Sequence, residues 1–442
     1  MELKSNTAIF CGRMTKKALT LAGRDGSSLP GKVAQTIDAD LLAKLSDGCR
    51  CILVTGTNGK TMTTALLVKA LEEAYPKVLT NASGANMLQG ITSAFLRLKR
   101  HERPIAVLEV DEATLPHVAE AVHPEMLVFT NIFRDQADRY GSTEGVLAHL
   151  RHGARLAPTA TVIANGDLPA FADLRINNPV RYFGTGLQES LPQSASEKED
   201  DFCPQCDASL SYEQRTYGNL GRYACTECAF KRPPLDFVLE QVDDVSTHHG
   251  GGLINGTAVE INTGGFYNLY NALAAFSAAR HFGLDAETIA RGMRKVVPLA
   301  GRQENVDIDG KNTTLHLIKN PVGFNQIVNL LALEKEPFSL ALLLNDLPAD
   351  GVDTNWVNEA DFEKLVTLTD HRPILIGGRR TDVLKNRLLR AGVAPSDLSL
   401  CETMPDMCRA VAQLPTETVH ILPTFTALAD LRRDLANEGY LN

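Results

Sequence analysis

Four cysteines stand in two pairs, Cys203-Pro204-Gln205-Cys206 and Cys225-Thr226-Glu227-Cys228, separated by 18 residues. Each C-x-x-C turns two thiolates toward one point, and two such knuckles complete a closed tetrahedral site. With a thiolate at every position and no place left for water, the expected occupant is structural zinc. Iron is the alternative, because thiolate tetrahedra accept it too. The total of nine cysteines is odd, and residues 1–10 are too short and too polar for the apolar core of a signal peptide. Metal thiolates are therefore expected in place of disulfides. Tyr212, Tyr217 and Tyr223 fall between the knuckles, where they can cover a module too small to have its own core.

A second run with chemistry in it is Val54-Thr55-Gly56-Thr57-Asn58-Gly59-Lys60-Thr61. Glycines let backbone N–H groups approach phosphate oxygens, and a helix starting at the loop adds a favourable potential for anions. Lys60 can reach the β- and γ-phosphates of ATP, and the Thr61 hydroxyl can ligate Mg²⁺. Val54 takes the place of the first glycine in the general GxxxxGK[ST] pattern, so the loop is a variant form.

These residues need a scaffold, and the hydrophobic pattern predicts one. Residues 51–55 read as a buried strand, followed by the Gly-rich turn and a helix from Lys60 to about Ala74. Apolar runs at 105–110, 126–130 and 161–164, spaced by helix-length segments, predict a doubly wound α/β domain with a mostly parallel sheet. A helical stretch ends near Gly23, and residues 26–31 are turn-rich. Residues 187–202 are polar and acidic, as in a linker, and lead into the cysteine module of about 200–232. A helix is expected at 268–281, and a second α/β unit after Gly301-Arg302 has strands expected at 315–318, 339–344, 373–376 and 418–422. The resulting division is an N-terminal helical segment (1–40), a central domain (41–300) and a smaller C-terminal α/β domain (301–442). A length of 442 residues suits two or three domains. A net charge of −9, with both signs interspersed, argues against a general nucleic-acid binder. No run of 18 apolar residues is present, and a cytoplasmic location is expected.

The loop form Thr55-Gly56-Thr57-Asn58-Gly59-Lys60-Thr61 resembles that of the Mur ligase family and of its relative folylpolyglutamate synthase, and further segments match in the same order. Leu108-Glu109-Val110-Asp111-Glu112 resembles the strand-end acidic motif, implying Glu109 as a Mg²⁺ ligand. Thr130-Asn131-Ile132 and Asp135-Gln136-Ala137-Asp138 resemble the segment in which the family has a metal-holding histidine, here Gln136. Its carbonyl oxygen can also bind Mg²⁺. Leu150 falls where many Mur ligases carry a carbamylated lysine, which sets this chain apart from the amino-acid-adding members. Asn165-Gly166-Asp167 resembles the family's Asn-x-Asp. Asn268 and Asn271, at i, i+3 spacing, resemble the pair on the adenine-contacting helix. Gly301-Arg302-Gln303-Glu304 resembles the interdomain GRxE motif, whose arginine lies near the ATP phosphates. The implied nucleotide site is thus Gly56, Thr57, Asn58, Gly59, Lys60, Thr61, Asn268, Asn271 and Arg302.

A zinc ribbon inserted in such a domain, with Asn345-Asp346-Leu347-Pro348-Ala349-Asp350-Gly351-Val352-Asp353-Thr354-Asn355-Trp356, resembles the MurT branch of the family. Asn355 replaces the usual serine, and Trp356 is the chain's one tryptophan, expected in the core. The resemblance implies a synthetase subunit that amidates the D-glutamate α-carboxyl of the lipid II stem peptide at the inner face of the membrane. It would use ATP and ammonia, the ammonia coming from a separate GatD-type glutaminase in a heterodimer. Cys11, Cys49, Cys51, Cys401 and Cys408 lack the setting of a nucleophile, which fits a separate glutaminase. Asp353, with Asp350 next, is implied as the third member of the partner's catalytic triad. Two rival readings are a folylpolyglutamate synthase-like or other Mur-type amide ligase, and a silent ATP-binding scaffold.

Overall fold

Apolar side chains from Cys51 to Val54 bury both faces of strand β1 (Arg50–Thr55), as helices packed on a parallel sheet require. In this computed structural model the described residues are 3–21, 28–81, 84–99, 101–133, 142–189 and 202–441. Asp135, Gln136, Ala137 and Asp138, and most of the acidic stretch 187–202, lie outside them. The main sheet continues with β2 (Val78–Thr80), β3 (Ile105–Glu109), β4 (Met126–Phe129), β5 (Thr161–Asn165) and β6 (Val180–Thr185), each parallel to its neighbours. The hairpin of β7 (Leu210–Arg215) and β8 (Gly221–Cys225) then leaves the sheet and forms a small sheet of its own. The chain returns as β9 (Phe237–Val245), β10 (Gly250–Ile254) and β11 (Thr257–Ile261), an antiparallel meander on the sheet edge. The final order is β11-β10-β9-β6-β5-β4-β1-β3-β2.

β1 lies between β3 and β4, where the strand order reverses, and open α/β sheets bind ligands outside the strand ends at such a point. Register places Val54 beside Glu109 and Thr55 beside Phe129, so Gly56, Glu109 and Thr130 emerge at one edge. The helix Lys60–Glu72 packs against Phe266–Phe282 and Ala286–Met293. Leu150, on the helix Thr143–Leu156, is fully buried in the main core.

A second sheet is built from β12 (Arg302–Ile308), β13 (Lys311–His316), β14 (Phe338–Leu343), β15 (Ile374–Gly377), β16 (Leu398–Leu400) and β17 (Thr418–Pro423). Its order is β12-β13-β17-β14-β15-β16, antiparallel only between β12 and β13. The N-terminal helices Leu3–Leu21, Leu29–Ile37 and Leu41–Ser46 lie beside the first unit. One turn expectation is corrected there. Leu29-Pro30-Gly31 is the first turn of a helix, because proline at its start has a φ already set for helix and no N–H to lose.

Candidate active site

The loop between β1 and the helix Lys60–Glu72 is shaped by two glycines. Gly56 has φ 131° and a Cβ there would meet Thr130 Oγ1 at 2.3 Å; Gly59 has φ 84° and a Cβ there would meet Asn271 Oδ1 at 2.0 Å. Side chains are thus excluded by backbone conformation and by space, leaving a bare backbone cradle at a helix N-terminus. Asn131 holds the outer wall, accepting from Thr57 N through its carbonyl (2.9 Å) and from Asn58 N through Oδ1 (2.9 Å). Asn58 exchanges both amide hydrogen bonds with Asn320, at 3.2 and 3.0 Å, which ties the loop to the second unit. Asn320 also caps the helix Pro321–Leu331 through Gly323 N.

Lys60 is nearly buried. Its ammonium donates to the Gly56 carbonyl and lies 3.3 Å from both carboxylate oxygens of Glu112, which is 5% exposed. A cation held this way sits where a phosphate can replace carbonyl and carboxylate as its partner. Thr61, the next residue, is half-buried.

Glu109 is also buried, and Asn86 Nδ2 donates to its carboxylate at 3.2 Å. Asn81 fixes the Glu109 backbone through N–H (2.9 Å) and carbonyl (2.8 Å) bonds. Burial lowers the pKa of Arg302, and the Glu109 carboxylate is the largest opposing influence. That places the cationic Arg302 and the anionic Glu109 in one electrostatic neighbourhood. The next residue, Gln303, takes a left-handed backbone (φ 58°) and buries its amide against the Gly264 backbone, at 2.7 and 2.8 Å. A non-glycine residue in that region is held by its surroundings.

Asn268 and Asn271 are both buried. Asn268 Nδ2 donates to the Gly264 carbonyl (2.8 Å), and Asn271 Nδ2 donates to Asn268 Oδ1 (3.0 Å).

The cysteine module docks on the same sheet edge. Asp167 is fully buried, and its carboxylate accepts from Tyr270 OH (2.5 Å), Thr185 N (2.8 Å) and Arg232 Nη1 (2.8 Å). Burial raises its pKa, with the Arg232 charge opposing most strongly. Gly221 N donates to the Asp167 carbonyl and Tyr223 OH to the Gly166 carbonyl, so the hairpin is fastened to the Asn165-Gly166-Asp167 turn. At the hairpin tip, the Tyr217 ring lies 5.9 Å from that of Phe133. Phe133 N in turn donates to Thr57 Oγ1 at 3.1 Å. A path of contacts therefore runs from the ribbon tip to the phosphate loop.

The sulfurs of Cys203, Cys206, Cys225 and Cys228 lie within 4.8 Å of one another, a group able to hold a metal ion. Cys203 and Cys228 are 3.7 Å apart and Cys206 and Cys225 3.5 Å. Backbone N–H groups point at the sulfurs, Gln205 N at Cys203 and Glu227 N at Cys225. The Glu227 N–H bond is the leading cause of a Cys225 pKa brought down to about 6.

In the loop after β14 the two aspartates differ. Asp350 is 6% exposed and accepts from Thr426 N (2.7 Å), Thr426 Oγ1 and Leu347 N (3.2 Å). Asp353 is exposed and accepts a bond from Asn355 N (2.8 Å). Trp356 is half-buried and packs on Phe324.

Residues that sequence reasoning passed over are Glu112 as the Lys60 partner, Asn320, Gln303, and the Arg232 and Tyr270 partners of Asp167. Asn320 before Pro321 is a helix-start signal that was available. The others are paired only by the fold.

Residues 54–207 match the family described as Mur ligase middle domain, and residues 317–428 the one described as MurT ligase C-terminal. The chain is 41% identical over 440 residues to the lipid II isoglutaminyl synthase (glutamine-hydrolyzing) subunit MurT of Streptococcus pneumoniae, covering 99% of this chain and 98% of that one. It is 33% identical to the subunit of the same description from Staphylococcus aureus, covering 88% of each. Among solved structures, a pseudomurein peptide ligase type C from Methanothermus fervidus is similar with TM-score 0.68 and 20% identity, over 90% of this chain and 81% of that one. Mycobacterium tuberculosis folylpolyglutamate synthase is similar with TM-score 0.62 and 14% identity, over 97% and 98%. These two likenesses concern the fold alone. With relatives matched along nearly its whole length and both family models in place, the chain belongs to the Mur ligase family, in its MurT branch.

Proposed function

We propose that this chain is the synthetase subunit of a lipid II isoglutaminyl synthase, with domains at 1–40, 41–300 and 301–442. The observation that supports this reading is the buried Lys60–Glu112 pair on a glycine-shaped loop at the strand ends, in a chain related along its whole length to such subunits. ATP phosphates would lie against the loop Gly56, Thr57, Asn58 and Gly59, with Lys60 and Arg302 as counter-charges. The Thr57 and Asn58 N–H groups, held by Asn131, shape the loop, while donation to phosphate falls to the helix start at Gly59, Lys60 and Thr61. Thr61 and Glu109 would hold Mg²⁺, which when bound would supply further neutralisation of phosphate charge. The γ-phosphoryl moves to an oxygen of the D-glutamate α-carboxylate, giving ADP and an acyl phosphate. Lys60 and Arg302 stabilise the charge that spreads over the transferring group. Ammonia then attacks the acyl carbon, phosphate leaves and a proton is released, giving the amide. The ammonia comes from a GatD-type glutaminase subunit, whose catalytic triad Asp353, with Asp350 as second candidate, would complete. The reaction takes place in the cytoplasm at the inner face of the membrane, where lipid II is presented.

The test is to incubate the purified chain and its glutaminase with ATP, glutamine and lipid II. Mass spectrometry is expected to show an acid-to-amide change, with phosphate release dependent on lipid II. Addition of glutamate to a pterin substrate would favour the folylpolyglutamate synthase-like alternative, and ATP binding with no turnover would favour a scaffold.

Zinc suits the cysteine site. Bonds of about 2.3 Å in a tetrahedron give S···S edges of about 3.8 Å, near the 3.7 and 3.5 Å found. Such a site contributes on the order of 10 kcal/mol to folding of its module. One zinc per chain is expected by metal analysis. Cys225→Ser is expected to release it, lower the Tm and raise the KM for ATP several-fold ahead of any fall in kcat, through the Tyr217–Phe133–Thr57 path. Iron in place of zinc, or a metal-free intact protein, would overturn this.

A further inference from the structure

The N-terminal helix Leu3–Leu21 is built with its small residues inward and its large apolar residues outward. Ser5, Ala8 and Gly12 are buried against the protein, and a Cβ on Gly12 would lie 2.6 Å from Leu96 Cδ1. Leu3, Phe10, Met14 and Leu21 are 84%, 65%, 47% and 90% exposed. At roughly 100° per residue these four positions fall within about 40° of one another, opposite the buried face. The stripe they form is about 27 Å long.

The charge on this helix is as one-sided as its apolar surface. It carries Lys4, Arg13, Lys16 and Lys17 and no acidic residue, in a chain whose net charge is −9. Arg13 is committed to the protein, donating to the Leu96 and Leu98 carbonyls, whereas Lys17 is exposed beside the stripe. A continuous apolar stripe facing water marks an interaction surface. A second copy docked stripe to stripe would set like charges against each other. An anionic lipid surface attracts them, while apolar side chains enter the acyl boundary. Among the described residues no helix is long and apolar enough to cross a membrane.

We propose that the helix Leu3–Leu21 is a membrane-docking element that lays Leu3, Phe10, Met14 and Leu21 into the surface of an anionic phospholipid leaflet, with Lys17 at headgroup level. The inference rests on the proposed function for its purpose, since a lipid-linked substrate is reached from the membrane surface. The surface itself does not depend on that reading.

The experiment is flotation of the full chain, in complex with its glutaminase, on vesicles that contain no lipid II. Vesicles containing phosphatidylglycerol are expected to carry the protein, less so as salt rises, and pure phosphatidylcholine vesicles to carry little. The Phe10→Ser/Met14→Ser double variant is expected to lose binding at least tenfold, and Lys17→Glu to weaken it several-fold. Both are expected to retain the wild-type Tm and wild-type amidation of a short-chain, water-soluble lipid II analogue. Absence of wild-type binding, or equal binding by the double variant, would overturn the proposal. So would a double variant that binds vesicles normally but no longer assembles with the glutaminase or changes oligomeric state, because the stripe would then be a protein interface. Vesicle binding that follows this pattern in a chain with no amidation activity would support the docking element while refuting the proposed function.

Discussion

Lys60→Ala is expected to lower the kcat of ATP-dependent amidation by about 10²–10³, the effect of removing one preorganised charge from a transition state. The structure adds a second expectation. Lys60 and Glu112 are 3.3 Å apart with side chains only 10% and 6% exposed, so removing the ammonium leaves a carboxylate without its ion-pair partner in a nearly dry place. Breaking such a pair from one side costs about 3–5 kcal/mol, most of it the penalty on the remaining charge. Lys60→Ala is therefore expected to lose Tm as well as activity, and Lys60→Ala/Glu112→Gln to regain Tm without regaining activity. Thermal melts and phosphate release measured side by side separate the two effects. Near-normal amidation by Lys60→Ala would remove the phosphate-loop assignment.

Asp353→Asn is expected to abolish glutamine-driven amidation, by about 10⁴ if it sets the tautomer of a partner histidine as a triad aspartate does. Amidation driven by added ammonium salt is expected to persist, because Asp353 takes no part in phosphoryl transfer. Asp353 is exposed and accepts one backbone bond, which leaves carboxylate capacity for a histidine N–H from a docked subunit. Asp350, buried with Thr426, serves in this arrangement to hold the loop that presents Asp353. Unchanged glutaminase activity in the Asp353→Asn complex would refute the role. Selective loss of glutamine use in Asp350→Asn alone would move it there.

Local patterns in the sequence were sufficient for the parts of this molecule whose physics is local. The strand, loop and helix around Lys60 read directly from an apolar run followed by glycines, and the four cysteines from their spacing. Strands at 338–343 and 418–423 were expected within a residue or two. The meander of β9, β10 and β11 was not foreseen, since the glycines at 250–252 blur the alternation that marks a strand. Within the site, Lys60 and Glu112 are 52 residues apart, Asp167 and Arg232 are 65 apart, and Asn58 and Asn320 are 262 apart. No periodicity carries such pairings; they exist only once the sheet brings its strand ends together. Even the aspartates of the C-terminal loop, alike in sequence, were told apart only by burial.

The ribbon leaves the main sheet after β6 and re-enters at β9, and those two strands are neighbours. The polymer cost of closing such an excursion grows only as the logarithm of its length, about 0.6 kcal/mol for each doubling. Cross-linking Cys203 to Cys228, 25 residues apart, shortens the loop of roughly 50 residues by half and so relieves only about 0.6 kcal/mol. β6 and β9 can thus zip together almost as readily before the cysteines are loaded as after. On this arithmetic, loading the four cysteines would be a maturation step for an already folded sheet, and its expected effect is to stiffen the hairpin whose tip rests on Phe133.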